Sequence, residues 1–308
     1  MNAAIAPPPL SADIPVREDW VDVPGARLKY RLSGKPGKLP LMVFENGWGA
    51  SHYYWAWIER VLAPQTQLLF YDRAGIGGSR KTAPLTVEAL SAQFAAMLDA
   101  LGQHEPVLVV GHSYGGLMGS LHAAQQPQRL RALVQLDPTP DSNDPRIDHQ
   151  LGWTRQIGKL ARLCARLGIP DPVFSPAGRE LPQPEARLLV ETSFSSVSSL
   201  TAGLEEFALL SAIRARIARA TVQVPRLTIS ADAATEMTGL ARILVSPAKA
   251  RELLDYVQAL HRGQVERNRG IWEKLPYTHG GMVFTPAGGI AGAQRVLSYA
   301  QSLASAPA

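Results

Sequence analysis

A serine hydroxyl is a poor nucleophile near neutral pH and becomes a useful one only beside a base that a third group orients. The segment VLVVGHSYGG, Val107 to Gly116, sets Ser113 between Gly111 and Gly115, each two positions away. Small residues suit both places, because a turn that tight presses them together and forces its central residue into strained backbone space. In a chain of this length the pattern Gly-x-Ser-x-Gly arises by chance roughly one time in six. Its weight therefore rests on context. The aliphatic run Val107 to Val110 reads as a strand covered on both faces, and LMGSLHAAQQ after the turn is compatible with a helix.

Seven histidines could supply the base: His52, His104, His112, His122, His149, His261 and His279. Sites of parallel α/β sheets lie at the carboxyl ends of the strands, which selects His279, in the glycine-rich loop YTHGG after the last predicted strand. His104, His112 and His122 read as structural. Two aspartates follow strands and keep the chain order serine, acid, histidine: Asp137 at the end of ALVQLD and Asp232 just beyond VPRLTIS. Asp137 is favoured because its strand comes directly after the elbow helix. The alternative Asp232 stays open, and Glu236 is a more distant candidate.

Acyl transfer builds negative charge on an oxygen that needs two preorganised N–H donors, worth roughly 3 kcal/mol each in the transition state. The backbone of Tyr114 is one candidate. Trp48, in the loop ENGWGAS where Gly47 permits close approach, is the other. The aromatic residues Tyr53, Tyr54, Trp55 and Trp57 follow. Some must be core, and Trp48 is the one expected to face a mainly apolar ligand.

The elements that must hold these residues alternate. A hairpin of Trp20–Val23 and Arg27–Leu32 around Pro24-Gly25 comes first, then strand, helix, strand, helix, strand through Val110, with Thr86 capping the second helix and Gly102 ending it. Residues 1–19 form a proline-rich leader, and the α/β core spans 20–137 and 223–308. Residues 138–222 interrupt it as a helical cap. Within the cap, Trp153, Ile157, Leu160, Cys164 and Leu167 fall on one stripe and Arg155, Lys159, Arg162 and Arg166 on another, which reads as a solvated face. A late helix starts at Ser246-Pro247 and is expected to stop before Gly263.

The 308 residues hold 46% hydrophobic and 19% charged side chains, the balance of an ordinary globular protein. A formal charge of +5 without a block of like charges does not support nucleic-acid binding, and no apolar run is long enough for a membrane span. The lone Cys164 permits no internal disulfide, and the leader lacks a basic region before its prolines, so a cytoplasmic location is expected. A small-molecule substrate is the expected partner. Neither a membrane partner, a metal nor an organic cofactor is expected, and the oligomeric state is left open.

Taken in order, ENGWGAS, YDRAGIGGS, VLVVGHSYGG, ALVQLDPTP and THGGMVFTP resemble the α/β-hydrolase fold superfamily, in particular its cap-bearing esterase and haloalkane-dehalogenase-like branch. The resemblance implies an α/β fold with a mostly parallel sheet, helices on both faces and a helical cap insertion. It implies a serine hydrolase with Ser113 as nucleophile, His279 as base and no cofactor, cleaving a carboxylic ester. Lactone, amide or carbon–carbon hydrolysis would use the same residues, and a non-catalytic small-molecule receptor is the rival. The family's common acid position falls at Asp232, whereas some members carry the acid where Asp137 lies. Asn46 replaces the usual histidine of the oxyanion loop. Asp72, Arg73, Gly75 and Ser79 match a structural loop and are expected to do no chemistry.

Overall fold

The computed structural model describes residues 8–170, 178–220, 224–234 and 246–305. Strands β1 (Val16–Val23) and β2 (Ala26–Ser33) form an antiparallel hairpin that reverses at Gly25, whose φ of +77° suits glycine. Because β1 starts at Val16, the last residues of the stretch read as a leader belong to the sheet. β3 (Met42–Glu45), α1 (Ala56–Leu62), β4 (Leu68–Tyr71), the short β5 (Arg80–Lys81), α2 (Val87–Ala100), β6 (Val107–His112), α3 (Tyr114–Gln125) and β7 (Leu130–Leu136) follow. After the cap come β8 (Arg226–Ala231), α8 (Pro247–Arg267), β9 (Ile271–Leu275), α9 (Gly281–Phe284) and α10 (Pro286–Ser305).

The described strands join in one sheet of order β1-β2-β4-β3-β6-β7-β8-β9, with β5 paired to β2. Pairing is antiparallel at the β1, β2 and β5 edge and parallel from β4 to β9. Central strands are buried on both faces, and alternate residues supply two separate cores. Phe44, Leu108, Val110, Val134 and Leu136 pack with Ile58 and Leu62 of α1 and Val296 and Ala300 of α10. Val43, Val107, Val109 and Leu133 pack on the other side with Phe94, Met97 and Leu98 of α2 and Ala123 of α3.

Side-chain caps open three of the longer helices. The side chain of Thr86 accepts from the Ala89 N–H, Asp144 from those of Arg146 and Ile147, and Ser246 from that of Lys249. Gly263 does not end α8, which runs to Arg267. A mid-helix glycine costs about 1 kcal/mol. Burial of Gln258, His261, Gln264 and Val265 on either side of it holds the helix together.

Between β7 and β8 lie α4 (Pro145–Arg166), α5 (Glu185–Leu189), α6 (Val197–Ala208) and α7 (Leu210–Ala218). Leu210 and Ile213 of α7 join Tyr114, Leu117, Met118 and Leu121 of α3, seating the cap on the elbow helix. The face α4 buries is built on Ile147, Gly158 and Ala161, whereas Trp153, Leu160 and Leu167 of its apolar stripe lie exposed. Among the described residues no helix is long and apolar enough to cross a membrane.

Candidate active site

Ser113 sits between β6 and α3 at φ +56° and ψ −123°, a conformation that L residues adopt only where the surroundings enforce it. The enforcement is visible. A Cβ on Gly111 would come 2.4 Å from the Gly115 carbonyl oxygen, and one on Gly115 would come 2.0 Å from that of Glu45. Backbone bonds then hold the turn: the Ser113 N–H donates to the Leu136 carbonyl at 3.1 Å and the Thr139 N–H to the Ser113 carbonyl at 2.9 Å.

Asp137, directly after β7, also has a positive φ, +41°. Its N–H donates to the Ile229 carbonyl at 2.7 Å, and its Oδ1 accepts the Ala231 N–H at 2.9 Å. The other oxygen, Oδ2, accepts from His279 Nδ1 at 2.6 Å. Burial alone would raise this carboxyl, but the His279 hydrogen bond, the neighbouring imidazoles and the Ala231 N–H hold it well below the usual carboxylate range. The His279 side chain is 45% exposed, so water and small molecules can reach it.

Asp232 occupies the equivalent place after β8 but faces elsewhere. Its Oδ1 accepts from Lys274 Nζ at 2.9 Å and from Gln258 Nε2 at 3.1 Å. No bond joins it to His279. Glu236 lies outside the described residues.

Two histidines not expected at the site flank it. His112, read as structural, stacks on His279 with ring centroids 4.6 Å apart, and its Nε2–H donates to the His279 carbonyl at 3.0 Å. Burial, with His279 beside it, pushes His112 down to about 3, so it is neutral at pH 7. Fully buried His261, on α8, lies 3.9 Å from Asp137 Oδ1. Its Nε2–H donates to the Pro138 carbonyl at 2.7 Å, which leaves Nδ1 to accept from Ser230 Oγ at 2.8 Å, and Ser230 in turn accepts from the Trp272 indole at 2.9 Å. Burial keeps His261 below the ordinary histidine range. In sequence it is indistinguishable from any core residue of an amphipathic helix.

The loop that follows β3 and carries Asn46, Gly47 and Trp48 is fixed from three sides. Tyr54 Oη accepts the Gly47 N–H at 2.7 Å, so that N–H is engaged within the loop. Asn46 donates to the Tyr71 carbonyl at 2.7 Å and accepts from the Trp55 indole at 2.9 Å, which supplies the anchorage at the position where a histidine is usual. Arg73 donates to the carbonyls of Asn46 at 2.6 Å and Gly47 at 3.1 Å. The same buried guanidinium grips both carboxylate oxygens of Glu206 on α6, at 2.6 and 3.0 Å. Arg73 therefore ties the loop to the cap. Burial alone would lower its affinity for a proton, but the Glu206 and Glu45 carboxylates hold it well above even the usual arginine range.

Tyr114 opens α3, so its backbone N–H belongs to the free N-terminal end of that helix, next to Ser113. The Trp48 indole reaches into the cap: it donates to the Gly203 carbonyl at 2.6 Å and packs on Phe207 with ring centroids 4.7 Å apart. A Cβ on Gly158 would come 2.5 Å from this ring.

The fold matches known proteins. A family model described as alpha/beta hydrolase fold matches residues 40–163. The "putative epoxide hydrolase" of Pseudomonas aeruginosa superposes with a TM-score of 0.69 at 18% identity, covering 96% of this chain and 99% of that one.

The chain has the α/β-hydrolase fold.

Curated hydrolases match shorter stretches. Lipase LipV of Mycobacterium tuberculosis is 39% identical over 84 residues, 27% of this chain and 32% of the relative. The sn-1-specific diacylglycerol lipase ABHD11 of Mus musculus is 28% identical over 184 residues, 59% of this chain and 54% of the relative. The chain thus spans less than two thirds of the length of either relative. Both relatives are named as lipases.

Proposed function

We propose that this α/β-hydrolase is a cytoplasmic serine hydrolase that cleaves a small, mainly apolar carboxylic ester. The observation that carries the reading is the 2.6 Å bond from His279 Nδ1 to a buried Asp137, at the carboxyl ends of the strands beside a serine held at positive φ. Asp137 fixes the tautomer that leaves His279 Nε2 unprotonated and able to accept. His279 takes the proton of Ser113 Oγ as that oxygen attacks the ester carbonyl. The N–H groups of Tyr114 and Trp48 receive the developing oxyanion. Collapse of the tetrahedral intermediate breaks the bond to the alkoxy oxygen, and His279 returns the proton to the leaving alcohol. Water, activated by the same histidine, then attacks the acyl-serine and releases the acid. An epoxide or haloalkane hydrolase of this fold would need a carboxylate at the elbow, where this chain has a serine. The lipase names of two relatives lie in the same reaction class as the proposal.

The test is turnover of short aryl esters together with labelling by a serine-directed phosphonate. The wild-type protein should hydrolyse the ester with a burst of the phenol, and the label should map to Ser113. Ser113→Ala should lose both. Folded wild-type protein that neither labels nor turns over any aryl ester, thioester or amide overturns the reading in favour of a binding protein.

A further inference from the structure

Helix α4 carries an unusual outer surface. Eight large hydrophobic side chains are exposed among the described residues, and five of them, Trp153, Leu160, Leu163, Leu167 and Ile169, lie on α4 or directly after it. Trp153 and Leu167 are each 64% exposed. They recur at seven-residue intervals through Leu160, with Leu163 beside them, so they form one continuous stripe rather than scattered exposures. The cap has no use for that stripe. α4 packs inward through Ile147, Gly158 and Ala161, with Gly158 against the Trp48 ring.

Alongside the apolar stripe runs the basic one, Arg155, Lys159, Arg162 and Arg166. No acidic residue occurs from position 149 to position 170, and none of the four cations forms an ion pair among the described residues. The result is a 22-residue helix with a Trp/Leu stripe, an adjacent stripe of positive charge, and both turned outward. A solvated face would explain the charges and leave the exposed tryptophan and leucines unexplained. A second copy would bring the same cations against one another. A surface that is apolar in its interior and negative at its rim satisfies both stripes.

We propose that the outer face of α4 docks on an anionic lipid bilayer, with Trp153, Leu160, Leu163 and Leu167 entering the boundary between headgroups and acyl chains and the four cations meeting lipid phosphates. The helix lies in the interface plane and does not span. This revises the expectation of no membrane partner, and it stands independently of the chemistry assigned to Ser113. Because the opposite side of α4 rests on Trp48, docking would set the cap over the site against the lipid surface.

The experiment is co-flotation of the full chain with phosphatidylcholine vesicles and with vesicles that also contain phosphatidylglycerol, at low and high salt. The wild-type protein should float with the phosphatidylglycerol vesicles, more weakly at high salt, and lipids brominated near the headgroup should quench the Trp153 fluorescence that Trp153→Phe removes. Two sets of substitutions at exposed positions separate the contributions: Trp153→Ser with Leu160→Ser and Leu163→Ser, and Arg155→Gln with Lys159→Gln and Arg166→Gln. Each should weaken partitioning about tenfold or more while the thermal midpoint stays near wild type. Three results overturn the proposal: no flotation with anionic vesicles, flotation unchanged in both sets, or a dimer in sedimentation velocity that the serine set dissolves while no vesicle binding is seen. Esterase activity is not read in this experiment, so failure here leaves the Ser113 assignment to its own test.

Discussion

Asp137 and Asp232 follow neighbouring parallel strands at the same end of the sheet, yet they have different environments. The side chain of Asp137 is 7% exposed and that of Asp232 is 38% exposed. Asp137 turns back at φ +41° and aims its carboxylate at His279, while Asp232 meets the surface Lys274. The strand that carries Asp232 also serves Asp137, because the Ala231 N–H just before Asp232 donates to Asp137 Oδ1. A strand-end position alone therefore does not make a carboxylate an orienting group. It also needs a backbone turn that points it across the sheet and a shell that excludes water from it.

The sharpest way to break this comparison is to neutralise the buried member. Asparagine at position 137 offers an NH2 where His279 needs an acceptor, which permits the wrong imidazole tautomer without changing side-chain volume. Asp137→Asn should lower kcat on an aryl ester by about 10⁴-fold with little change in KM. Steady-state kinetics on the purified variant checks this, and near-normal kcat would return the acid role to another carboxylate.

The chemistry was unevenly legible in the chain. Ser113 was readable because an elbow demands glycines at Gly111 and Gly115 and an aliphatic strand before them, and His279 because the last strand leads into a glycine-rich loop. Choosing between the aspartates was harder: what separates them is a left-handed backbone at Asp137, a non-glycine residue with no local signature, and a hydrogen bond delivered by a distant strand. His261 was hidden for a similar reason, since periodicity places it on the inner face of α8 without saying that Pro138 and Asp137 lie there. Periodicity also gave both stripes of α4 and not which one faces the protein. The small residues Gly158 and Ala161, opposite the apolar stripe, were the available sign that close packing occurs on the other side.

The shell around Asp137 and His279 carries a pH signature. His112 is held near 3 in the folded protein against about 6.5 in an unfolded chain, so below pH 6.5 the unfolded state takes up a proton that the native state refuses. Its contribution to stability is complete above pH 6.5 and is lost as pH falls toward 3, at up to about 1.4 kcal/mol per pH unit. Thermal midpoints measured between pH 8 and pH 4 should therefore fall on the acid side, and His112→Asn should flatten that limb. An acid limb of unchanged slope in this variant would assign the loss to other groups.

His261 should show a smaller effect on stability. His261→Leu removes the donor to the Pro138 carbonyl and the acceptor of the Ser230 hydroxyl, and leaving buried polar groups unmatched costs about 1–3 kcal/mol. Urea denaturation should show the midpoint shifting with an unchanged slope. His261→Gln, which can still donate to Pro138, should recover part of the loss.

The smallest effect belongs to the other aspartate. Asp232 is lowered from the ordinary carboxylate range by its hydrogen bonds to Lys274 and Gln258, so what it contributes is present above the unfolded value and is lost as pH falls through the folded one. Solvent screens a pair this exposed, and such surface contacts contribute about 0–1 kcal/mol. Asp232→Asn keeps an oxygen that can accept from Lys274 and Gln258. It should leave kcat within about twofold of wild type and stability within about 0.5 kcal/mol. Because both variants exchange a carboxylate for an amide of the same shape at adjacent strand ends, the ratio of their effects isolates what the buried turn at Asp137 adds. A loss of kcat in Asp232→Asn comparable to that of Asp137→Asn would mean that the His279 loop can reach either carboxylate during turnover.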